Sequence, residues 1–397
     1  MNVMGALRSR PTTERRDRRY LGRTENAETP EVVRAEGSRV VDALGRTLID
    51  FQMGWCVGNL GWNPPEILAR IRRFAGPSYV TPNNSYAPWT ELAERLVGIA
   101  PGKLDRAYRA TTGTEAVELA LQLAVTRTGR RKFVSIEDAY HGNSFGARTV
   151  GSDDLDTHLP GVRHLAPPLD ASALDRLETM LKHRDVAAFI MEPVITNLSV
   201  MIPESEFMRG LVSLCHRYGT LVIMDEVACG LGRAGTMFAC EHDAIEPDLL
   251  AIAKSLGGGI VPIATTFATA DVADAARDEL SFYASFGWMP LAVEAALAVL
   301  DYWKAHGDEL LANIAQRAAQ IENVLRELFP DAELRMRGLA IGVGLDDEER
   351  VAAIAKRAKQ RGLLLYPEDD SLVMFPALTI DEATCGEAVE ILAAASR

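Results

Sequence analysis

The sequence predicts an α/β protein with a mainly parallel sheet, followed by a smaller helix-rich domain. Two observations predict it. Short apolar runs alternate with longer helical patterns through the middle of the chain, the order expected when each strand is followed by a helix that covers it. From about Pro290 the alternation gives way to helical spacing that closes on a short strand-like section. At 397 residues, 48% hydrophobic and 24% charged, the chain has enough apolar material for one large core and a second, smaller one.

Taken in order, SRVVDALGRTLIDFQ reads as a hairpin placed ahead of the main α/β region. The strands of that region are RKFVSIE, AAFIMEP, TLVIMDE and DLLAIAK, and its clearest helices are TEAVELALQLAVTRTG and ESEFMRGLVSLCHRYG, whose apolar residues recur at helical spacing. The late segment LLLYPEDDSLVMFPALTID reads as two strands before a terminal helix. No internal repeat or low-complexity tract interrupts the pattern.

Composition limits the partners. A net charge of −13 argues against nucleic acid or an anionic membrane, both of which select basic surfaces, and favours small molecules. Five cysteines, odd in number, scattered and without a CxxC pair, give neither a disulfide framework nor a zinc site, so a reducing cytoplasm is expected. No apolar run is long enough to span a bilayer, and the start of the chain lacks a signal peptide's apolar stretch. The basic segment RSRPTTERRDRRYLGR, interrupted by Glu14 and Asp17, reads as a solvated or subunit-covering arm and is given no function.

Chemistry enters at TLVIMDEVACGLGR, where a strand that should be buried ends in Asp225 and Glu226. Two chemistries use an acid there: a nucleotide hydrolase, to help hold magnesium, and a pyridoxal-phosphate enzyme, to keep a proton on the cofactor ring. The hydrolase needs GxxxxGK[ST]; the one Gly-Lys pair, Gly102-Lys103, is followed by Leu104 and has Val97 in place of the first glycine, so that motif is missing. The cofactor chemistry needs a lysine for an imine, a phosphate site and a carboxylate for the ring nitrogen.

Each can be sought separately. Of seven lysines, six sit beside loops or in polar helical patterns; Lys254 alone ends an apolar strand, LLAIA, and precedes the glycines of SLGGG, where backbone can approach a ligand closely. An ordinary strand-end lysine is the alternative. In ATTGTEAVELALQLA, Thr112, Gly113 and Thr114 precede a long helix whose free N–H groups and dipole favour an anion, although a plain helix cap would look similar. Tyr140, His141 and Gly142 follow the strand FVSIE, and a tyrosine at a strand end can stack on a planar cofactor or simply pack in a core.

In this order and spacing the motifs resemble the class III aminotransferases, a family of fold type I pyridoxal-phosphate (PLP) enzymes. The resemblance runs through VVDALGRTLIDF, TGTEAVELAL, YHG, MEPV, DEVACGLGRAG, PDLLAIAKSLGGG and FGWMPLAVEAALAVL, almost the whole chain. It implies a large PLP-binding domain over 61–290, a small α+β domain over 291–397 with which 1–60 packs, and a homodimer with shared active sites. By matching positions, Lys254 would form the imine and Asp225 would pair with the pyridinium nitrogen. Tyr140 and Val227 would cover the two ring faces, His141 would belong to the cofactor site, and Gly113 and Thr114 would bind phosphate. Ser285 would reach the phosphate of the neighbouring subunit. Glu226 is assigned a structural hydrogen bond.

The substrates implied are a small-molecule amine and a 2-oxo acid or aldehyde, exchanged by a ping-pong mechanism; an aminomutase or racemase on the same scaffold is the alternative, and a non-enzymatic relative is disfavoured because Lys254 and Asp225 are both present. MGWCVGNLGWNPPEI is similar to the omega-amino acid:pyruvate aminotransferases and diaminopelargonate synthases, which makes Trp55 a candidate pocket wall. Trp62 and Trp288 replace a histidine and a glycine of those motifs. Glutamate-using members hold the substrate carboxylate with an arginine screened by a glutamate; here Val373 and Asn197 take those positions, and Tyr366 replaces the anchoring arginine of the diaminopelargonate synthases. The expected donor therefore carries no carboxylate beside its amine, unless Arg148, Arg233 or Arg361 supplies the missing cation.

Overall fold

A computed structural model describes residues 13–22, 31–151 and 160–397. Part of the basic segment near the start, and residues 1–12 of the proposed N-terminal region, lie outside them; within the described residues Thr13–Tyr20 is a helix. Among the described residues fifteen strands form three sheets. The largest contains β4 (Leu104–Ala110), β5 (Lys132–Ile136), β6 (Val162–Leu165), β7 (Val186–Met191), β8 (Leu221–Asp225), β9 (Leu249–Ile252) and β10 (Ala264–Thr269), in the order β4-β10-β9-β8-β7-β5-β6. β10 is antiparallel to both of its neighbours, and the remaining pairs are parallel, so six strands run one way and one runs back.

The burial of these strands follows from their sequences. β7 is buried at every residue and β9 likewise, as continuous apolar runs must be when helices cover both faces of a parallel sheet. β4 and β6, which the apolar patterning did not mark, lie at the two edges; β4 carries Asp105, Arg106 and Arg109, tolerable only where one side of the strand is open. β10, ATTFAT, is buried yet too rich in threonine to read as an apolar run. Its Thr266 Oγ1 is satisfied by donating to Ala116 O at 2.7 Å.

The smaller sheets lie at the chain ends. β1 (Val32–Glu36), β2 (Arg39–Asp42) and β3 (Thr47–Asp50) form an antiparallel meander containing the expected hairpin, and β13 (Leu363–Leu364) joins it parallel to β3. β11 (Glu333–Arg337), β12 (Ala340–Gly344), β14 (Tyr366–Glu368) and β15 (Ser371–Met374) make an antiparallel sheet in the order β11-β12-β15-β14. Ile49, Phe51 and Leu60 share a core with Leu363, Met374, Leu378 and Leu392, so residues from both ends of the chain bury one another.

The helix Pro290–Leu328 links the two cores. At 1.5 Å per residue its 39 residues span about 58 Å. Its first turns bury Val293, Ala296, Leu297 and Leu300 in the core of the large sheet, and its later turns bury Leu310, Ile314, Ile321 and Leu325 in the second core. Among the described residues no helix is long and apolar enough to cross a membrane.

Candidate active site

Because β4, β5, β7, β8 and β9 run in one direction, the residues that follow them emerge at one edge of the sheet: Thr111 to Thr114, Tyr140 to Gly142, Glu192, Asp225 and Lys254. They line a cavity of about 880 Å³. An open parallel sheet has its natural crevice at the carboxyl ends of its strands.

Asp225 ends β8 and is buried. Its Oδ2 accepts a hydrogen bond from His141 Nδ1 at 2.7 Å and its Oδ1 accepts from the Val227 N–H at 3.0 Å. An ionised carboxylate can only accept, so the His141 proton sits on Nδ1. Nε2 on the other side of that ring is buried without a hydrogen-bond partner among the described residues, although His141 lines the cavity.

Lys254 follows β9 and opens a single 3₁₀ turn, Lys254–Gly257, with φ of 42°. A non-glycine residue in that left-handed region carries strain on the order of 1 kcal/mol, which the buried strand before it and the glycines after it hold in place. Its side chain lines the cavity and makes no ion pair or hydrogen bond with a described residue.

The helix Gly113–Thr128 begins at the cavity, where the Thr112 hydroxyl caps it by accepting from the Glu115 N–H at 3.3 Å. The cap reading is what the hydrogen bonds show, and the helix start faces the cavity. Gly113 is required here: a Cβ on it would stand 2.8 Å from Val227 Cγ1, inside any real contact distance. Thr114 Oγ1 accepts from the Asn143 N–H at 3.3 Å, which ties the Tyr140-His141-Gly142 loop to the helix start. Tyr140 is 46% exposed and lines the cavity; its N–H donates to Asn197 Oδ1 at 3.1 Å, and Asn197 Nδ2 donates to Asp138 O at 2.7 Å.

The opposite wall rests on a turn of unusual backbone. Met53, Gly54, Trp55 and Cys56 all have positive φ, from 42° to 70°. Asp50 pins them: its Oδ1 accepts from the Gln52 and Met53 N–H groups at 2.8 and 2.9 Å, and its Oδ2 from Trp62 Nε1 at 2.9 Å. Trp62 thus anchors the turn that presents Trp55. The Trp55 ring packs on Tyr366 and Phe375 with centroids 4.6 and 5.2 Å away, and its Nε1 donates to Thr196 Oγ1 at 3.3 Å.

Sequence patterning passed over what lies behind that wall. Glu192, directly after β7, is buried, and its Oε2 accepts from the Thr196 N–H at 3.0 Å and from Thr196 Oγ1 at 2.8 Å. Burial, reinforced by the negative charge of Asp225, pushes its carboxyl up to about 7. An acid immediately after a fully apolar strand was the signal available. Glu226 has the structural role expected of it, accepting from the Ala239 and Cys240 N–H groups at 2.7 and 2.8 Å.

Not every expected residue meets the cavity. Ser285 is exposed and does not line it. Val373 is buried in β15 beside Phe375 and Cys56. The three arginines held as substitutes are elsewhere: Arg233 is fully buried and donates to Asn59 Oδ1 and to the Leu339 and Pro376 carbonyls, Arg148 belongs to the helix Phe145–Thr149, and Arg361 ends the helix Glu348–Arg361. No arginine lines the cavity among the described residues.

The donor set fits PLP. A free helix terminus whose first residue has no room for a Cβ suits a phosphate approaching the backbone, a lysine without a partner suits an imine, and a buried carboxylate held by a histidine suits a ring nitrogen.

Comparison with known proteins agrees. The family model "Aminotransferase class-III" matches residues 21–395. The ornithine aminotransferase of Toxoplasma gondii, whose structure has PLP at partial occupancy in its active site, superposes with a TM-score of 0.88 at 25% identity, over 96% of this chain and 93% of that one. An amine transaminase from an uncultivated Pseudomonas species, in its PLP-bound form, gives 0.86 at 27% identity over 95% and 97%. A thermostable omega transaminase six-fold mutant from Pseudomonas jessenii gives 0.89 at 25% identity over 97% and 98%. These likenesses favour amino transfer and give the isomerase alternative no support. The chain belongs to the class III aminotransferases, PLP-dependent enzymes of fold type I that carry an amino group from an amine to a carbonyl compound.

Proposed function

We propose that this transaminase takes its amino group from a primary or omega-amine whose reacting carbon bears no carboxylate, and passes it by a ping-pong mechanism to a 2-oxo acid or aldehyde. The observation that carries this reading is the cavity lining, in which Lys254 is the one lysine and no arginine is present among the described residues. A carboxylate leaving water for that cavity would find no bidentate, charge-assisted partner, and truncating such a pair costs on the order of a few kcal/mol. The amine transaminase and omega transaminase likenesses point the same way; the ornithine aminotransferase likeness does not distinguish donors.

In this reading the chain's residues divide the work. Bound PLP supplies a carbonyl that takes up the amine and a ring that draws electrons from the reacting carbon. Asp225, ionised and held by His141, keeps the proton on the ring nitrogen. Lys254 Nζ holds the cofactor and, once released, moves the proton lost from the amine-bearing carbon. Gly113 and Thr114 receive the phosphate, Tyr140 and Val227 bound the ring faces, and Trp55 closes the substrate side.

The same proposal includes a homodimer, a cytoplasmic location and domain boundaries near 60 and 290. Exposed Tyr283 and Phe286 flank Ser285, and Phe286 meets Tyr79 edge-on at 6.2 Å, giving an aromatic surface suited to burial against a second copy. Ser285 would then serve the partner's phosphate site. All five cysteines are free and buried, as a reducing compartment allows.

A donor panel tests the function. With PLP-loaded enzyme and no acceptor, single amines that discharge the cofactor absorbance are donors; primary and omega-amines are expected to react faster than glutamate or alanine. Fastest discharge by glutamate at micromolar concentration would overturn the proposal.

A further inference from the structure

Among the described residues the cavity contains one carboxylate that neither amino transfer nor a bond within the fold engages. Three carboxylates line it among the described residues, from Glu192, Asp225 and Glu368, against a single lysine. Asp225 is taken by His141 and Lys254 by the cofactor in the reading above, while Glu192 is buried and satisfied by Thr196. Glu368 differs. It is half-buried, and its carboxylate has no hydrogen bond or ion pair with a described residue.

Its position is fixed rather than incidental. Glu368 is the last residue of β14 and pairs with Ser371 across the Asp369-Asp370 turn, in a hairpin whose other end pairs Tyr366 with Val373. Of the three consecutive acids, Asp370 receives a hydrogen bond from Ser371 Oγ at 2.8 Å, and Asp369, at φ 47°, is exposed in the turn. Residues two apart on a strand face the same way, so Glu368 stands on the side where Tyr366 meets the Trp55 ring. Trp55 and Glu368 both line the cavity. An indole and a carboxylate without a counterion among the described residues together make a wall that favours a cation: the ring attracts positive charge through its quadrupole and the carboxylate through its full charge. Burial also holds the Glu368 carboxyl above the usual carboxylate range, with Asp369 adding to it.

Resting on the transaminase reading, we propose that the amino donor carries a second positive charge distant from the reacting amine, and that Glu368, on the cavity wall it shares with Trp55, selects this ammonium: the substrate class is the α,ω-diamines. A substrate ending in a carboxylate is repelled at that wall, and one ending in a methyl group gains nothing from it. A charge-assisted pair in a partly buried site is expected to separate diamine from monoamine by about tenfold.

The test compares 1,5-diaminopentane, pentylamine and 5-aminopentanoate in two ways. In single turnover, wild-type enzyme is expected to use the diamine about tenfold better than pentylamine in kcat/KM. Glu368→Gln should bring that ratio to within about twofold, and Glu368→Lys should turn the preference toward 5-aminopentanoate. In calorimetric titration of borohydride-reduced holoenzyme, which requires no turnover, the same ranking and the same inversion are expected. If no amine discharges the cofactor, transamination fails, while the titration still decides the role of Glu368. A diamine preference unchanged in Glu368→Gln, or a wild type that ranks pentylamine equal or better, overturns the inference.

Discussion

At Asp225 the carboxylate turns to His141 and the cavity, whereas the next residue, Glu226, turns away to the Ala239 and Cys240 N–H groups. Successive residues of an extended chain point to opposite faces, so one of two adjacent acids is presented to the ligand and the other to the fold. The pair was legible in the sequence as acids ending a buried strand. Which acid did which task came from the family resemblance. Glu192 was visible only as an acid closing an apolar strand; that it and the His141 bond belong to one site was not legible, because both depend on strands distant in sequence meeting at one edge. Asp225→Asn should keep the fold, since an amide oxygen can still accept from His141 or Val227, but it removes the charge that holds the ring proton. Turnover should fall by roughly a hundredfold or more with little change in melting temperature. Near-wild-type turnover in that variant would remove Asp225 from the mechanism.

Four strands of the large sheet were read from apolar runs, and β4, β6 and β10 were not. Edge strands keep charge on their open side, and β10 buries threonines, among them Thr266, whose hydroxyl donates to Ala116 O in the helix Gly113–Thr128, so neither type yields the apolar run that marks a central strand. The turn that carries Trp55 was equally hidden, because positive φ at Met53, Trp55 and Cys56 is set by Asp50 and not by glycine at those positions. Asp50→Ala should therefore act at the scale of this element. Three donors, on Gln52, Met53 and Trp62, lose their acceptor, and a stability loss of about 2 kcal/mol or more is expected in denaturant unfolding. A raised KM for amines should accompany it, as Trp55 loses its support. A variant with wild-type stability and KM would show that the strained turn holds itself.

Across the molecule, the order of strands gathers acidic groups at one edge of the sheet, and stability should register this. Glu192 and Glu226 are both pushed up to about 7, chiefly by burial, from an ordinary value of 4.5. A carboxyl raised in the folded state binds its proton more tightly there than when unfolded. Its contribution to stability is complete below about 4.5 and is lost as pH rises through about 7. For Glu192 the change is on the order of 3 kcal/mol. Glu192→Gln can keep both Thr196 bonds on its amide oxygen, so the cofactor-free variant should lose less stability than wild type between pH 5 and 8 in parallel unfolding series. Identical slopes would mean that Glu192 stays ionised throughout.

Amino transfer by this chain requires that Lys254, one lysine out of seven, hold the cofactor. Its strained backbone, its place at the end of β9 and its side chain in the cavity, unpaired among the described residues, all bear on that assignment. The direct measurement is borohydride reduction of the PLP-loaded enzyme, followed by proteolysis and mass mapping of the pyridoxyl group. The label is expected on Lys254 alone, in near-stoichiometric yield. A label on another lysine, or none on Lys254 in protein that retains bound PLP, would contradict the account.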